Sequence, residues 1–170
     1  GQHQMIACRY SEFKQSKSNI TSGGLGTMGF ALPAAIGAKI AAPQRDVIAV
    51  IGDGGYQMTI QELGTIFQQN ISLKIVVLNN EFLGMVRQWQ QLFFDKRYAS
   101  TEMMNPDFIA IANGYHIKAQ KVTERCDLDA AVEEMMKTEG PYFLEVCVEK
   151  ENNVFPMVPS GASVSEIRLE

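Results

Sequence analysis

Apolar residues gather into four short runs with longer periodic stretches between them. Residues 47–51, 73–78 and 142–148 are rich in β-branched side chains and nearly continuous. Strands covered on both faces read this way, because neither side of the pleat meets water. Residues 116–122 alternate apolar and polar, which predicts a strand nearer an edge with His116 as a structural strand residue. Helical periods fill the gaps. Thr59 with Glu62 has the form of a capping box, opening a helix expected to turn Ile60, Leu63 and Phe67 inward. Asn105 and Pro106 read as a cap and a first-turn proline, for a helix stopping at Gly114. Leu128, Ala131, Val132, Met135 and Met136 form an i, i+3, i+4, i+7, i+8 stripe. Residues 25–42 are small and apolar on every side, which predicts a buried helix.

Strands alternating with helices predict an α/β fold: three layers, a mainly parallel sheet with helices on both faces. Such sheets bind ligands beyond the carboxyl ends of their strands, so the residues just after Ile51 and Leu78 become the first candidates. A length of 170 residues suits one domain. Its expected body is 1–150. Residues 151–170, with Pro156, Pro159 and Gly161 and little periodicity, predict a loop or lid-like tail of the same domain.

Composition changes little in this picture. An apolar fraction of 46% and a charged fraction of 20% are ordinary for a water-soluble domain. A net charge of −4 gives no basic surface, so no nucleic-acid partner is expected. No apolar run is long enough to cross a bilayer, so no membrane partner is expected either. The opening residues lack a charged lead followed by an apolar block, so no signal peptide is expected. Cys8, Cys126 and Cys147 are odd in number and far apart, which predicts reduced thiols and a cytoplasmic or organellar-matrix setting. Lys118, Lys121, Glu124 and Arg125 read as a solvated face.

The chemistry lies at two strand ends. Gly52, Asp53, Gly54 and Gly55 follow the first buried run, Asn79 and Asn80 end the second, and 26 residues lie between Asp53 and Asn80. Adjacent parallel strands joined by a crossover end side by side, so Asp53 and Asn80 can converge. Magnesium takes an octahedron of oxygens and shares it with phosphates. A carboxylate, an amide oxygen, a main-chain carbonyl and phosphate oxygens fill that shell. Gly54 and Gly55 allow close approach of a diphosphate, and the start of the following helix favours its charge. Either segment alone reads as a turn; both together, each after a buried strand, favour a metal–diphosphate site. Gly24, Gly26 and Gly29 also spell the dinucleotide fingerprint GxGxxG. That motif requires a preceding apolar strand, and residues 17–22 are mostly polar.

GDG followed at this spacing by NN resembles the thiamine-diphosphate enzymes. More specific segments resemble acetolactate (acetohydroxyacid) synthase. They are Gly1 to Met5 (GQHQM), Thr21 to Phe30 (TSGGLGTMGF) running into Leu32 to Gly37 (LPAAIG), Gln61 to Leu63 (QEL), Leu83 to Val86 (LGMV) with Gln88 and Trp89, and Pro156 to Gly161 (PMVPSG). The resemblance covers essentially the whole chain and only the C-terminal part of that enzyme; a start inside the first motif, at Gly1, is expected of a fragment.

The resemblance implies roles. Asp53 and Asn80 ligate magnesium through side-chain oxygens and Phe82 through its carbonyl. Gln2 and His3 contact the diphosphate, with Gly52, Gly54 and Gly55 giving backbone help; Gly55 stands where relatives commonly carry Ser, so a hydroxyl contact is absent there. Gly26 offers a carbonyl to the aminopyrimidine, Met28 wedges between the cofactor's rings, and Met85 and Trp89 line the substrate channel. Met28, Met85 and Trp89 also read as plain packing residues. The implied cofactors are thiamine diphosphate and Mg2+, with FAD only in the full-length enzyme. The implied reaction condenses two 2-keto acids with loss of CO2 in branched-chain amino-acid biosynthesis. Its expected partners are the keto acids, further copies in a homodimer or homotetramer, and a regulatory small subunit. No residue here matches the activating glutamate of this cofactor class, so no catalytic residue is assigned and the isolated chain is expected to be inactive. The open alternatives are another thiamine-diphosphate carboligase or decarboxylase, and a non-catalytic binding module that keeps the fold.

Overall fold

The computed structural model describes residues 1–169. Its helices are α1 (Gln2–Tyr10), α2 (Ala31–Ala41), α3 (Asp53–Gln57), α4 (Glu62–Gln69), α5 (Gly84–Phe93), α6 (Phe108–Gly114) and α7 (Leu128–Lys137). Its strands are β1 (Ile48–Gly52), β2 (Lys74–Asn79), β3 (Lys118–Val122) and β4 (Tyr142–Cys147). The four strands form one sheet in the order β1-β2-β4-β3, and every pairing is parallel. The α/β expectation therefore holds, and β3 lies at an edge as its alternation predicted.

Two apolar layers form because strand side chains alternate between faces. Ala49, Ile51, Ile75, Val77 and Phe143 point to one face, where Leu32 and Ile36 of α2, Leu63 and Ile66 of α4, and Phe108 and Ala112 of α6 cover them. Leu144, Tyr142 and Val122 point to the other, against Ala131 and Met135 of α7. That is the helix–sheet–helix arrangement predicted. β2 and β4 are buried almost throughout, but β1 is not: Ile48 is 45% exposed at the free edge of the sheet.

Several local expectations are corrected. The helix predicted over 25–42 begins only at Ala31, and Leu25 is 93% exposed. Gly26 and Gly29 take positive φ values of 62° and 81°, a left-handed backbone that no helix continues through. No strand precedes these glycines, so the context of the dinucleotide motif fails as expected. Thr59 caps nothing; its Oγ1 donates to the Gly29 carbonyl at 3.2 Å. A short helix has already started at Asp53, and α4 begins at Glu62 with Leu63 and Ile66 buried and Phe67 turned out. Asn105 is not the cap of α6. Asp107 is, its carboxylate accepting the Ala110 N–H at 2.9 Å, while the helix does end at Gly114. The α7 stripe is narrower than its spacing implied, with Val132 and Met136 exposed. His116 lies outside β3, exposed in a left-handed turn at φ 57° against the ring of Phe67.

No helix among the described residues is long and apolar enough to cross a membrane. The three cysteines are free thiols.

Candidate functional site

Register decides the site. Gly52 at the end of β1 pairs with Leu78 of β2, so Asp53 emerges beside Asn79 and Asn80. Asp53 is 2% exposed, and its Oδ2 accepts two hydrogen bonds, from the Glu81 N–H at 2.9 Å and from Asn105 Nδ2 at 2.8 Å. Both donors reach the same oxygen, and the backbone at Asp53 and Gly54 also bonds to the carboxylate. Burial pushes the Asp53 carboxyl above its ordinary range, while the hydrogen bonds, led by that of Asn105, pull it back.

The loop after β2 folds around its own amides. Asn79 Oδ1 accepts from the Glu81 N–H at 3.1 Å and from Asn105 Nδ2 at 2.9 Å. Asn80 Oδ1 accepts from the Phe82 N–H at 3.2 Å, a side-chain turn of the kind asparagine favours. Glu81 sits between them at a positive φ of 55°, held by the two bonds to its N–H. Its carboxylate pairs with Lys150, which keeps it below the ordinary range.

A cleft of about 490 Å³ opens over these strand ends. Gln2, His3, Gly26, Met28, Gly52, Asp53, Gly54, Gly55, Asn80, Phe82 and Met85 all line it. The structure thus brings together every predicted site residue but one. Trp89 does not line the cleft itself: it packs against the ring of Phe93 and lines an adjoining depression with Val86, which the two share, and Gln90, Phe94 and Arg97.

Glycine is needed here for room. A Cβ on Gly52 would stand 2.9 Å from His3 Nδ1, and one on Gly54 would stand 2.9 Å from Leu83 Cδ2 and 3.3 Å from Met28 Cε. Met28 therefore reaches over Gly54, and His3 closes on Gly52. Burial pushes the His3 imidazole down to about 4, so it is neutral at pH 7. Gln2 is engaged elsewhere: its amide nitrogen donates to Gln88 Oε1 and to the Asn152 carbonyl, both at 3.1 Å.

The tail forms the cleft's outer brace. Gln88, 1% exposed on α5, accepts from the Val154 N–H at 2.9 Å and donates to the Val154 carbonyl at 3.2 Å. Arg87 beside it pairs with Glu151 and stacks over the rings of Phe82 and Tyr98. From α1, Arg9 donates to the carbonyls of Phe155 and Pro156.

The donor set suits magnesium better than a soft metal. No group of three His, Cys, Asp or Glu side chains is placed to hold an ion among the described residues. A buried carboxylate on Asp53 and the amide oxygen of Asn80 on the neighbouring strand end offer oxygen donors only, the kind of set that phosphate oxygens complete around magnesium. A cation there also offsets the burial that disfavours ionised Asp53. Three residues of the site escaped the sequence reading: Asn105, misread as a cap; Asn79, masked by its neighbour Asn80; and Glu145 of β4, which accepts from Asn79 Nδ2 at 2.7 Å.

Comparison with known proteins gives the family. The family model for the thiamine pyrophosphate enzyme, C-terminal TPP binding domain, matches residues 1–146. The chain is 48% identical over 168 residues to the acetolactate synthase isozyme 2 large subunit of Escherichia coli (strain K12), covering 98% of this chain and 31% of that protein. It is 47% identical over 169 residues to the mitochondrial acetolactate synthase of Schizosaccharomyces pombe, covering 99% and 25%. It is 42% identical over 178 residues to acetolactate synthase 1, chloroplastic, of Oryza sativa subsp. japonica, covering 100% and 28%. The chain therefore spans about a quarter to a third of the length of the curated relatives it matches. With its Asp53 and Asn80 at neighbouring strand ends, the chain belongs to the thiamine pyrophosphate enzyme family, as the C-terminal TPP-binding domain.

Proposed function

We propose that the chain is the magnesium- and diphosphate-binding part of an acetolactate synthase catalytic subunit. The observation that carries this is the bond from the Glu81 N–H to Asp53 Oδ2, which ties the loop after β2 to the start of α3. The near-half identity to chains named acetolactate synthase supports the choice within the family. Asp53 and Asn80 hold magnesium with side-chain oxygens, and Phe82 adds its carbonyl. The backbone at Gly52, Gly54 and Gly55 receives the diphosphate. His3, neutral in this setting, offers it an N–H. Gln2 reaches the diphosphate only by giving up its bonds to Gln88 and Asn152. Gly26 would offer its carbonyl to the aminopyrimidine, Met28, which reaches over Gly54, would pack against the cofactor, and Met85 and Trp89 would face the incoming keto acid.

Thiamine diphosphate, when bound, supplies the carbon nucleophile and the electron sink for decarboxylating one 2-keto acid and joining it to another. Pyruvate serves as donor, and pyruvate or 2-ketobutyrate as acceptor. This chain's residues bind, orient and shield. The carboxylate that activates the aminopyrimidine comes from another portion of the protein, in an assembly of two or four copies. The flavin and a regulatory subunit likewise belong to the longer enzyme, in a cytoplasmic or organellar setting.

The test is calorimetric titration with thiamine diphosphate and Mg2+, comparing wild type with Asp53→Ala. Metal-dependent binding is expected in the first and its loss in the second. The isolated chain is expected to form no acetolactate from pyruvate; clear turnover by it would overturn the division of labour proposed here.

A further inference from the structure

We infer that Asn105 is a positioning residue for the magnesium ligand Asp53: it holds Oδ2 by hydrogen bonding and so turns Oδ1 toward the cation. This rests on the magnesium–diphosphate reading above. Asn105 lies in the loop before α6, 52 positions from Asp53. Its Nδ2 sits 2.8 Å from Asp53 Oδ2 and 2.9 Å from Asn79 Oδ1, so one amide group bridges both strand ends.

The amide has one workable orientation. Asn105 Oδ1 accepts from Gln57 Nε2 at 2.7 Å. Turned over, it would set an oxygen against two acceptor oxygens and an NH2 against a donor. Gln57 closes α3, the helix that Asp53 opens, so the brace is anchored one turn from the carboxylate it holds. The loop itself has no use for this amide, because Asp107 already caps α6. Below, Asn79 Nδ2 donates to Glu145 Oε1 at 2.7 Å, and Lys121 pairs with that carboxylate at 3.0 Å. The bridge therefore stands on a buried Asn79–Glu145 pair joining β2 and β4, with Lys121 of β3 closing it from the solvent side. Groups bonded to a metal's ligands fix their orientation, and losing one typically weakens metal binding about 10- to 100-fold.

The test uses the full polypeptide carrying this chain, saturated with thiamine diphosphate and titrated with Mn2+ as a magnetic stand-in for Mg2+, read by electron paramagnetic resonance. Asn105→Asp keeps the shape but replaces the donor with an acceptor. With Asn105→Ala, it is expected to weaken Mn2+ binding by about 10-fold or more. Gln57→Leu leaves Asn105 in place but frees its amide, and is expected to weaken binding by a few-fold. Asp107→Ala removes the α6 cap without touching Asp53; it is expected to lower the melting temperature and leave the Mn2+ affinity alone. Binding within about twofold of wild type in both Asn105 variants and in Gln57→Leu would overturn the inference. A wild type that binds no Mn2+ in the presence of thiamine diphosphate would instead overturn the site reading, and this inference with it.

Discussion

Asn79 on β2 and Glu145 on β4 meet at 2.7 Å beneath the cleft, both buried, and Lys121 on β3 reaches the same carboxylate oxygen from the solvent side. The two partners of Glu145 are not equivalent. Lys121 is half exposed, so water replaces it, and Lys121→Ala is expected to cost about 1 kcal/mol or less. Glu145→Ala strands the buried Asn79 amide and is expected to cost about 2–3 kcal/mol. Urea unfolding midpoints of the two variants check this. Equal losses would contradict the account of the buried donor.

Gly84 offers a separation of binding from stability. A Cβ there would stand 2.1 Å from Gln2 Oε1 and 2.9 Å from Asn80 Nδ2, both ends of side chains that can swing away. Gly84 is also the first residue of α5, where alanine is the better helix former by up to about 1 kcal/mol. Gly84→Ala is therefore expected to leave the melting temperature unchanged or slightly higher while weakening Mg2+-dependent cofactor binding several-fold. A parallel loss of both would mean that the clash is not confined to those two side chains.

The His3 imidazole gives a pH signature. Its value of about 4 in the fold lies below the ordinary 6.5, so between these the unfolded chain binds a proton that the folded chain refuses. His3 thus makes folding weaken as pH falls from 6.5 toward 4. Asp53 acts in the opposite sense, because its raised carboxyl keeps a proton that the unfolded chain releases. The measurement is the difference in melting temperature between wild type and His3→Asn across that window. Wild type is expected to lose more on acidification; parallel curves would place His3 in water.

Leu63 and Phe67 test the register of α4. Leu63 is fully buried and Phe67 is 51% exposed. Leu63→Ala is expected to cost about 2–5 kcal/mol and Phe67→Ala under about 1 kcal/mol, by chemical denaturation. The capping-box reading put both residues inward, and comparable losses would restore it.

What was legible follows from where each signal resides. The strands, their parallel arrangement and the neighbouring strand ends that carry Asp53 and Asn80 are written in apolar runs and turn residues, so periodicity finds them. The helix starts were misplaced where side chains act at long range. Thr59 looks like a cap until Gly29, 30 residues earlier, takes its hydroxyl. Asn105 before Pro106 reads as a cap because nothing local reveals Asp53 waiting 52 residues upstream. Trp89 is implied for the channel by the resemblance alone, and α5 carries it to a depression that shares Val86 with the cleft.

The two hydrogen bonds between Gln88 and Val154 have a consequence for how the protein is made. α1 reaches the tail through Gln2 and Arg9, and Gln2 is held by Gln88 and by Asn152, 150 positions away. A chain emerging from the ribosome from its amino end can form the first βα units early. The tail's bonds to α1 form only after residues 152–156 have left the exit tunnel, and contacts this distant are slow to close. A nascent chain stalled before Asn152 should therefore be cut within α1 by protease, and one stalled well beyond the tail should resist.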